Sequence, residues 1–323
     1  MPRAPRTFYQ PTSFLAGFLL SLAAGCGAPP AAAPPRPAPP ATVTVAAIQC
    51  SSDLGAVEQN REKLTGLIRQ AAAGGAKIIV LPEAAITGYL SQDLKENWHV
   101  EGRPLDTSFH GRDPASGAET VPGTSTDYFC ALAKELGVYL TIPLVERVEK
   151  APSPQPSDET ESPEIRQSDV EYFNTVCLAS PEGKLVSHYR KLNPWPHPEK
   201  SWATTGDHGI QTFDTEYGRV GLAICFDIHT ILEAYEGEKL WALLYPIAWV
   251  DEEHPADWFW HRLPKRAGNF DHYVIGANWS VDQPQRWRGY GFSTILGPRG
   301  EIISTAKSIY GSEIIYATIP TAQ

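Results

Sequence analysis

The order of apolar segments near the start of the folded region restricts this chain to one broad fold class. Val43–Gln49 and Lys77–Leu81 are short apolar runs of the kind that form buried strands. The segment Asp53–Ala73 between them has the periodicity of an amphipathic helix and stops at two glycines. A strand, a helix and a second strand in succession predict an α/β fold with a buried sheet.

The remaining elements continue this alternation along the chain. The sequence predicts helices at Thr124–Leu136, Thr230–Glu236 and Ala256–Ala267, single strands at Val138–Val145, Gly209–Thr215, Trp241–Tyr245, Tyr273–Ala277 and Glu313–Thr318, and hairpins over Glu171–Tyr189 and Gly291–Ser304. Pro, Ser and Glu dominate residues 149–169, a composition typical of a surface insertion. The chain has 323 residues, and we expect residues 43–323 to form one domain, near the upper size for a single core.

The first 42 residues predict an export signal followed by a tether. Two arginines precede an apolar stretch, Phe14–Ala24, that is too short to span a bilayer. Its end at Cys26 resembles the lipobox of bacterial lipoproteins, which implies removal of residues 1–25 and acylation of the Cys26 thiol. Residues 26–42 are rich in Pro and Ala and predict an extended tether. We expect an exported, membrane-anchored lipoprotein on the periplasmic or cell-surface side; a secreted protein is the alternative.

Charge and cysteine content limit the possible partners. The formal net charge is −10 at pH 7, so nucleic acid is not expected as a partner. No later apolar stretch is long enough to cross a bilayer, so membrane contact is expected only through Cys26. We interpret Cys50, Cys130 and Cys177 as buried small hydrophobic residues. Export permits disulfides, and the sequence leaves the pairing of these three open.

The stretch Gly218–His229 carries the clearest chemical signal. An apolar run behind Gly218 predicts a buried strand, and Cys225 stands where this strand turns toward a helical segment. Such a turn exposes a nucleophile and directs backbone N–H groups at the atom that it attacks. A thiol beside apolar residues is more often inert, so this stretch alone leaves both interpretations open.

Polar residues follow two other predicted strands. Glu83 comes just after Lys77–Leu81, where α/β proteins place their sites. Lys191 follows the Glu171–Tyr189 hairpin, and Glu199 comes eight residues later. Glu83 alone reads as a solvated loop residue, and Lys191 with Glu199 as a solvated pair. Alternatively, Glu83 supplies a base and Lys191 a fixed positive charge for a nucleophilic thiol.

A Cys–His pair is the rival arrangement. His229 follows Cys225 by four residues, a spacing that permits contact on a helix, and His188 is the second candidate base. A histidine in such a position is more often a surface residue, and no carboxylate is obviously placed to orient it. No His/Cys cluster has the spacing of zinc ligands, so we expect neither a metal nor a cofactor.

Three motifs in order resemble those of the nitrilase superfamily of carbon–nitrogen hydrolases: Leu81-Pro82-Glu83, Tyr189-Arg190-Lys191 and Ile224-Cys225-Phe226-Asp227. The resemblance covers about Val43–Thr318. It implies an α-β-β-α sandwich, a single catalytic domain and a homodimer. It also implies that Glu83 is the general base, Lys191 the oxyanion lysine and Cys225 the nucleophile, with Glu199 near the substrate.

The implied reaction is hydrolysis of a non-peptide linear amide C–N bond through a Cys thioester. Cys225 attacks a small-molecule amide, and the Phe226 backbone N–H joins Lys191 at the oxyanion. Trp249 lies in a Pro-Ile-Ala-Trp segment similar to that of pantetheinases and biotinidases and is expected beside the substrate. Leu81–Tyr89 looks more like the general amidases, so pantetheine is one candidate substrate among several.

Other activities remain possible at this point. Hydrolysis of a nitrile or of a carbamoyl amide is the alternative within the same superfamily. An acyltransferase shares the same constellation, although its relatives carry several membrane helices. A catalytically idle, surface-tethered binding lipoprotein is the alternative that involves no reaction.

Overall fold

The structure, a computed structural model, describes residues 40–52, 55–89, 117–150, 170–196, 199–249, 257–280 and 291–322. Cys26, the predicted signal peptide at 1–25 and the predicted tether as far as residue 39 lie outside these residues. The predicted insertion lies outside them from residue 151 onward.

Within these ranges the chain alternates strands with short helices. The strands are β1 (Thr42–Gln49), β2 (Ile78–Val80), β3 (Tyr139–Glu149), β4 (Val170–Ala179), β5 (Leu185–Arg190), β6 (Thr212–Thr215), β7 (Gly218–Leu222), β8 (Ala242–Pro246), β9 (Tyr273–Ala277), β10 (Thr294–Leu296), β11 (Ile302–Thr305) and β12 (Glu313–Pro320). The α-helices are α1 (Val57–Ala73), α2 (Thr124–Leu136), α3 (Ile231–Ala234) and α4 (Leu263–Ala267). Short 3-10 helices cover Glu199–Ser201 and Cys225–His229, and a π-helical turn, Trp258–Arg262, leads into α4.

Two six-stranded mixed sheets form the centre of the domain. Their strand orders are β12-β1-β2-β3-β4-β5 and β11-β10-β9-β8-β7-β6. In the first sheet β1, β2 and β3 run parallel, and the other strands join antiparallel. In the second sheet β7, β8 and β9 run parallel, and the other strands again join antiparallel. The parallel strands of each sheet therefore end at one common edge.

Side-chain alternation along the strands divides the apolar core into layers. On β2, Val80 belongs to the cluster that joins the two sheets, together with Leu244 of β8. Its neighbour Ile79 belongs to the cluster formed with Leu64 of α1 and Phe129 of α2. The layers confirm the predicted α-β-β-α sandwich. In the described part of the chain, no helix has the length and apolar character needed to cross a membrane.

Most element bounds agree with the sequence-based expectation, and the deviations have local causes. The helix predicted from Asp53 begins at Val57, because Gly55 has a positive φ of 74° and its N–H bonds the Thr87 carbonyl. The strand predicted from Gly209 begins only at Thr212, since Gly209 has a φ of 68°. Positive φ values turn the chain and interrupt a regular element.

The two sheets bring the loops after their parallel strands together. The Glu83 backbone N–H, in the loop after β2, donates to the Ile247 carbonyl in the loop after β8 at 3.3 Å. Cys225 lies in the loop after β7, and Lys191 directly follows β5. The predicted site residues therefore come from both sheets.

Candidate active site

Cys225 occupies a strained and firmly held turn. Its φ of 42° lies in the left-handed region, which non-glycine residues rarely adopt. Its carbonyl accepts a hydrogen bond from the Tyr245 hydroxyl at 2.7 Å, and the Ile224 N–H before it donates to Asp227 Oδ2 at 3.0 Å. The Ala248 backbone lies close enough to the Cys225 sulfur to lower the pKa of the thiol. Strain of this kind persists where the surrounding contacts hold it, and it concentrates at functional sites.

Lys191 is fully buried between two carboxylates. Its Nζ donates to Glu83 Oε1 at 2.8 Å and to Glu199 Oε2 at 2.7 Å. The Lys191 side chain is 1% exposed and both Glu side chains are 0% exposed, so the solvated pair considered for Lys191 and Glu199 is excluded. An ammonium group has three N–H donors. With two directed at carboxylates, the third is available to a substrate.

The two glutamates differ in how completely they are hydrogen-bonded. Glu199 accepts from Asn174 Nδ2 at Oε1, and from Lys191 and the Trp195 N–H at Oε2. Glu83 accepts from Lys191 and Asn174 at Oε1, whereas its buried Oε2 has no hydrogen-bond partner in the described structure. A buried acceptor without a partner is costly and is retained where function needs it. Glu83 is thus the carboxylate able to take a proton.

The charge states of these groups follow from burial and proximity. Burial raises the pKa of the Cys225 thiol well above its ordinary value; Glu83 adds to the rise, and Lys191 opposes it. Burial also raises the pKa of Glu83, with Lys191 again opposing. Burial disfavours the charged form of Lys191, but Glu199 and Glu83 more than offset this, so its pKa is raised overall. The resting site therefore holds a protonated thiol beside a fixed ammonium.

Neither candidate histidine belongs to this group. The exposed His229 has its ring against Phe226, with ring centroids 4.8 Å apart, and against the stacked pair formed by Trp249 and Trp258. His188 Nε2 lies 2.9 Å from Glu146 Oε2, in a separate charged cluster with Arg190. Among the described residues neither histidine is hydrogen-bonded to Cys225, whereas Glu83, Lys191 and Glu199 all affect the pKa of its thiol. The Cys–His arrangement is not formed.

Phe226 and Trp249 lie near the nucleophile turn, each with its ring against that of His229. Phe226 follows Cys225 in the 3-10 helix Cys225–His229, where the first N–H groups have no partner within the helix. The Trp249 ring stacks on that of Trp258 with centroids 3.9 Å apart, and the Trp249 backbone N–H donates to Asn278 Oδ1 at 3.0 Å. An aromatic wall and a helix N-terminus therefore border the nucleophile turn.

Three contributors to the site escaped prediction. Asn174 lies within β4 and bridges the two glutamates, and a polar residue amid an apolar strand was its only signal. Tyr89 is buried, and its pKa is raised by burial and by Glu199, Glu83 and Cys225, which places its hydroxyl near the site. Asp227 belongs to a quoted motif but received no role.

The described part of the chain contains the three remaining cysteines and most of the possible metal ligands. No disulfide is formed among the described residues, where Cys50, Cys130 and Cys177 are buried. In the same residues no three His, Cys, Asp or Glu side chains are grouped to hold a metal ion.

Comparison with known proteins defines the class to which this fold and site belong. The family model described as carbon-nitrogen hydrolase matches residues 44–323. The chain belongs to this family and, as the motifs predicted, to the nitrilase superfamily. It is a carbon–nitrogen hydrolase of the amidase type.

Individual relatives agree with this assignment. The chain is 28% identical to an omega-amidase of Xenopus laevis over 275 residues, covering 80% of this chain and 82% of the relative. It is equally 28% identical to the omega-amidase of Homo sapiens over 273 residues, with coverage of 80% and 82%. The crystal structure of an amidase from Nesterenkonia sp. superposes with a TM-score of 0.63 at 17% identity, covering 87% of this chain and 92% of that one. A second structure, of a mutant of the Nesterenkonia amidase in complex with butyramide, has a TM-score of 0.62 at 17% identity, with coverage of 86% and 91%.

Proposed function

We propose that this protein hydrolyses a linear, non-peptide amide through a thioester on Cys225, with Glu83 as general base and Lys191 at the oxyanion. One observation carries the proposal. Glu83 has one oxygen tied to Lys191 and a second, buried oxygen with no hydrogen-bond partner in the described structure. This arrangement leaves a proton acceptor open beside a thiol while keeping the positive charge in place.

The first half-reaction forms the acyl-enzyme. Glu83 Oε2 takes the thiol proton as Cys225 Sγ attacks the amide carbon, so a C–S bond forms and the carbonyl oxygen becomes an oxyanion. The third N–H of Lys191 and the Phe226 backbone N–H stabilise this oxyanion. Glu83 then gives its proton to the nitrogen, the C–N bond breaks, and the amine or ammonia leaves.

The second half-reaction restores the enzyme. Glu83 Oε2 takes a proton from water, whose oxygen attacks the thioester carbon and produces a second oxyanion at the same donors. The C–S bond breaks, the carboxylic acid leaves, and the proton returns to the Cys225 sulfur. Glu199, whose oxygens are all hydrogen-bonded, takes no proton in this scheme and instead holds Lys191.

The relatives support an amide rather than the alternatives for the substrate. The two curated relatives named above are omega-amidases, and mutants of the Nesterenkonia amidase have been seen with butyramide and with acrylamide. We therefore place short linear amides first and pantetheine, a nitrile and a carbamoyl amide behind them. An acyltransferase and an idle binding protein receive no support from these relatives.

A panel of amides tests the proposal. Purified protein is incubated with butyramide, succinamic acid, pantetheine, propionitrile and a carbamoyl amide, and released ammonia or amine is measured. We expect turnover of at least one amide by the wild type and none by Cys225→Ala. Cys130→Ala is the matched control, because Cys130 is also a buried thiol but lies on α2. Amide turnover that survives in Cys225→Ala would refute the mechanism.

The location and assembly of the protein are further proposals. We infer that residues 1–25 are removed and that acylated Cys26 anchors an exported enzyme, which rests on the sequence pattern before Cys26. We also infer a homodimer, which rests on the superfamily. Analytical ultracentrifugation of residues 40–323 tests the homodimer. The sedimentation coefficient of a monomer at micromolar concentration would contradict it.

A further inference from the structure

Asp227 is a buried carboxylate next to the catalytic machinery that the proposed reaction does not use. Its side chain is fully buried, and each oxygen accepts hydrogen bonds. Oδ2 accepts from the Tyr189 hydroxyl at 2.7 Å and from the Ile224 N–H at 3.0 Å. Oδ1 accepts from the Asn193 N–H at 2.8 Å. A buried carboxylate that accepts three hydrogen bonds is firmly held.

These three bonds join two separate parts of the chain. Tyr189 and Asn193 lie two residues before and two residues after Lys191. Ile224 and Asp227 itself lie on either side of Cys225. The Tyr189 hydroxyl also accepts from the Leu192 N–H at 3.2 Å, which extends the same network along the segment that carries Lys191. One carboxylate therefore spans the segment of the lysine and the segment of the thiol.

We propose that Asp227 is a positioning residue, which clamps the Lys191 segment to the Cys225 turn and so fixes the ammonium relative to the nucleophile. This inference rests on the proposed function, since it assigns Asp227 to the same reaction. A helix-capping role accounts for the bond from Ile224, which lies in the same turn. It does not account for the bonds from Tyr189 and Asn193, which come from residues 38 and 34 positions away.

Two substitutions test whether Asp227 acts through its hydrogen bonds or through its charge. Asp227→Asn keeps the shape but replaces one acceptor oxygen by a donor. Either orientation of the new amide leaves one buried backbone N–H, at Ile224 or Asn193, facing another donor. Tyr189→Phe keeps the Asp227 carboxyl group but removes its hydrogen bond from the Tyr189 hydroxyl, together with the acceptor of the Leu192 N–H. Asp214→Asn on β6 is the control, because Asp214 is exposed and its ion pair in the described structure is with Arg219 at the surface.

The thiol itself provides a readout that needs no amide substrate. Lys191 opposes the rise in the pKa of the Cys225 thiol, so a displaced ammonium raises that pKa further. The rate of alkylation by iodoacetamide is measured from pH 6 to 11 on the peptide that contains Cys225, which separates it from Cys26 and from the buried Cys50, Cys130 and Cys177. We expect the midpoint to rise by about one pH unit in Asp227→Asn, by less in Tyr189→Phe, and to stay unchanged in Asp214→Asn.

Turnover and a double variant complete the experiment. In Asp227→Asn we expect kcat to fall about tenfold or more with KM changed less than about threefold, as for a group that acts in the transition state. Lys191→Met removes the group being positioned, so adding Asp227→Asn to it should cost less than about twofold more. If Asp227→Asn does not fold, Tyr189→Phe carries the same comparison.

Two results would overturn the clamp. The first is that folded Asp227→Asn and Tyr189→Phe have the same pH midpoint of Cys225 alkylation as the wild type. The other is a loss in the double variant equal to the product of the two single losses, which indicates independent roles. Failure of the proposed function is recognised separately, because a wild type that hydrolyses no amide still yields the alkylation profiles.

Discussion

Replacing Lys191 by Met removes the only cation that contacts both buried glutamates in the described site. The Lys191 ammonium lies 2.8 Å from Glu83 and 2.7 Å from Glu199, and all three side chains are at most 1% exposed. Met has similar length but no charge. The substitution therefore leaves two carboxylates facing an apolar group without their common cation.

The structure allows the size of both effects to be worked out. Breaking a buried ion pair by removing one partner costs about 3–5 kcal/mol of stability. Protonation of one glutamate reduces this cost, so the loss should be largest at high pH. Had Lys191 been a surface residue, the change would have been less than about 0.5 kcal/mol. For catalysis, loss of an oxyanion donor costs about a hundredfold or more in kcat, or roughly 3 kcal/mol.

A second substitution separates folding from catalysis. In Lys191→Met/Glu199→Gln one of the two buried charges is gone, so part of the lost stability should return while activity should not. Lys191→Arg should also remain inactive, because a planar guanidinium is wider than the ammonium it replaces. The neighbour Arg190 is unsuitable as a control, since it is buried and bonds Glu146. Lys184, which is exposed, is the better one.

The assay is kcat and KM on any hydrolysed amide, with a melting curve for each variant. We expect Lys184→Met to behave as wild type and both Lys191→Met variants to lose at least about two orders of magnitude in kcat. A folded Lys191→Met that keeps more than about a tenth of wild-type kcat has lost less than about 1.4 kcal/mol of transition-state stabilisation. That result would refute the oxyanion role of Lys191.

Three other predictions follow from sequence and structure. Full activity should survive exhaustive chelation, and a loss restored only by a divalent ion would contradict the metal-free mechanism. A fatty-acid probe should label the wild type in cells but not Cys26→Ser, and equal labelling of both would contradict the proposed acylation of Cys26. Although burial favours its neutral form, hydrogen bonds from His188 and Arg190 lower the pKa of Glu146 to about 2. Because this folded pKa is depressed, the stabilisation, about 3 kcal/mol, is present above the unfolded value near 4.3 and is lost as pH falls toward 2. The urea midpoints of unfolding of wild type and Glu146→Gln should therefore differ at pH 7 and converge near pH 2. A difference that does not change with pH would contradict the lowered pKa of Glu146.

Local patterns predicted the fold because the strands are apolar runs with clear ends. Thr124–Leu136 and Tyr273–Ala277 have their predicted bounds, and the predicted sandwich is present. The observed bounds of helices and strands differ from the predicted ones where a glycine turns the chain, as at Gly55 and Gly209. The sequence pattern alone does not reveal which glycine takes a positive φ.

The site was predicted only in part, for a physical reason. Glu83, Lys191 and Cys225 were singled out through motifs, but the burial of Glu83 and Lys191 was not predicted, since a charged side chain is usually solvated. The hydrogen bonds between Glu83, Asn174, Lys191 and Glu199 join segments up to 108 residues apart. Such a network depends on how the strands of one sheet lie side by side, which no single stretch of sequence encodes.

A covalent acyl group on Cys225 is the most direct test of the mechanism. The wild type is mixed with an excess of a hydrolysed amide, quenched in acid within milliseconds, digested and analysed by mass spectrometry. We expect the peptide that contains Cys225 to gain the mass of the acyl group, in an amount that rises and then falls as substrate is consumed, and Cys225→Ser to show no thioester. Rapid turnover with no acyl mass on that peptide at any quench time, together with turnover by Cys225→Ser, would contradict the thioester mechanism.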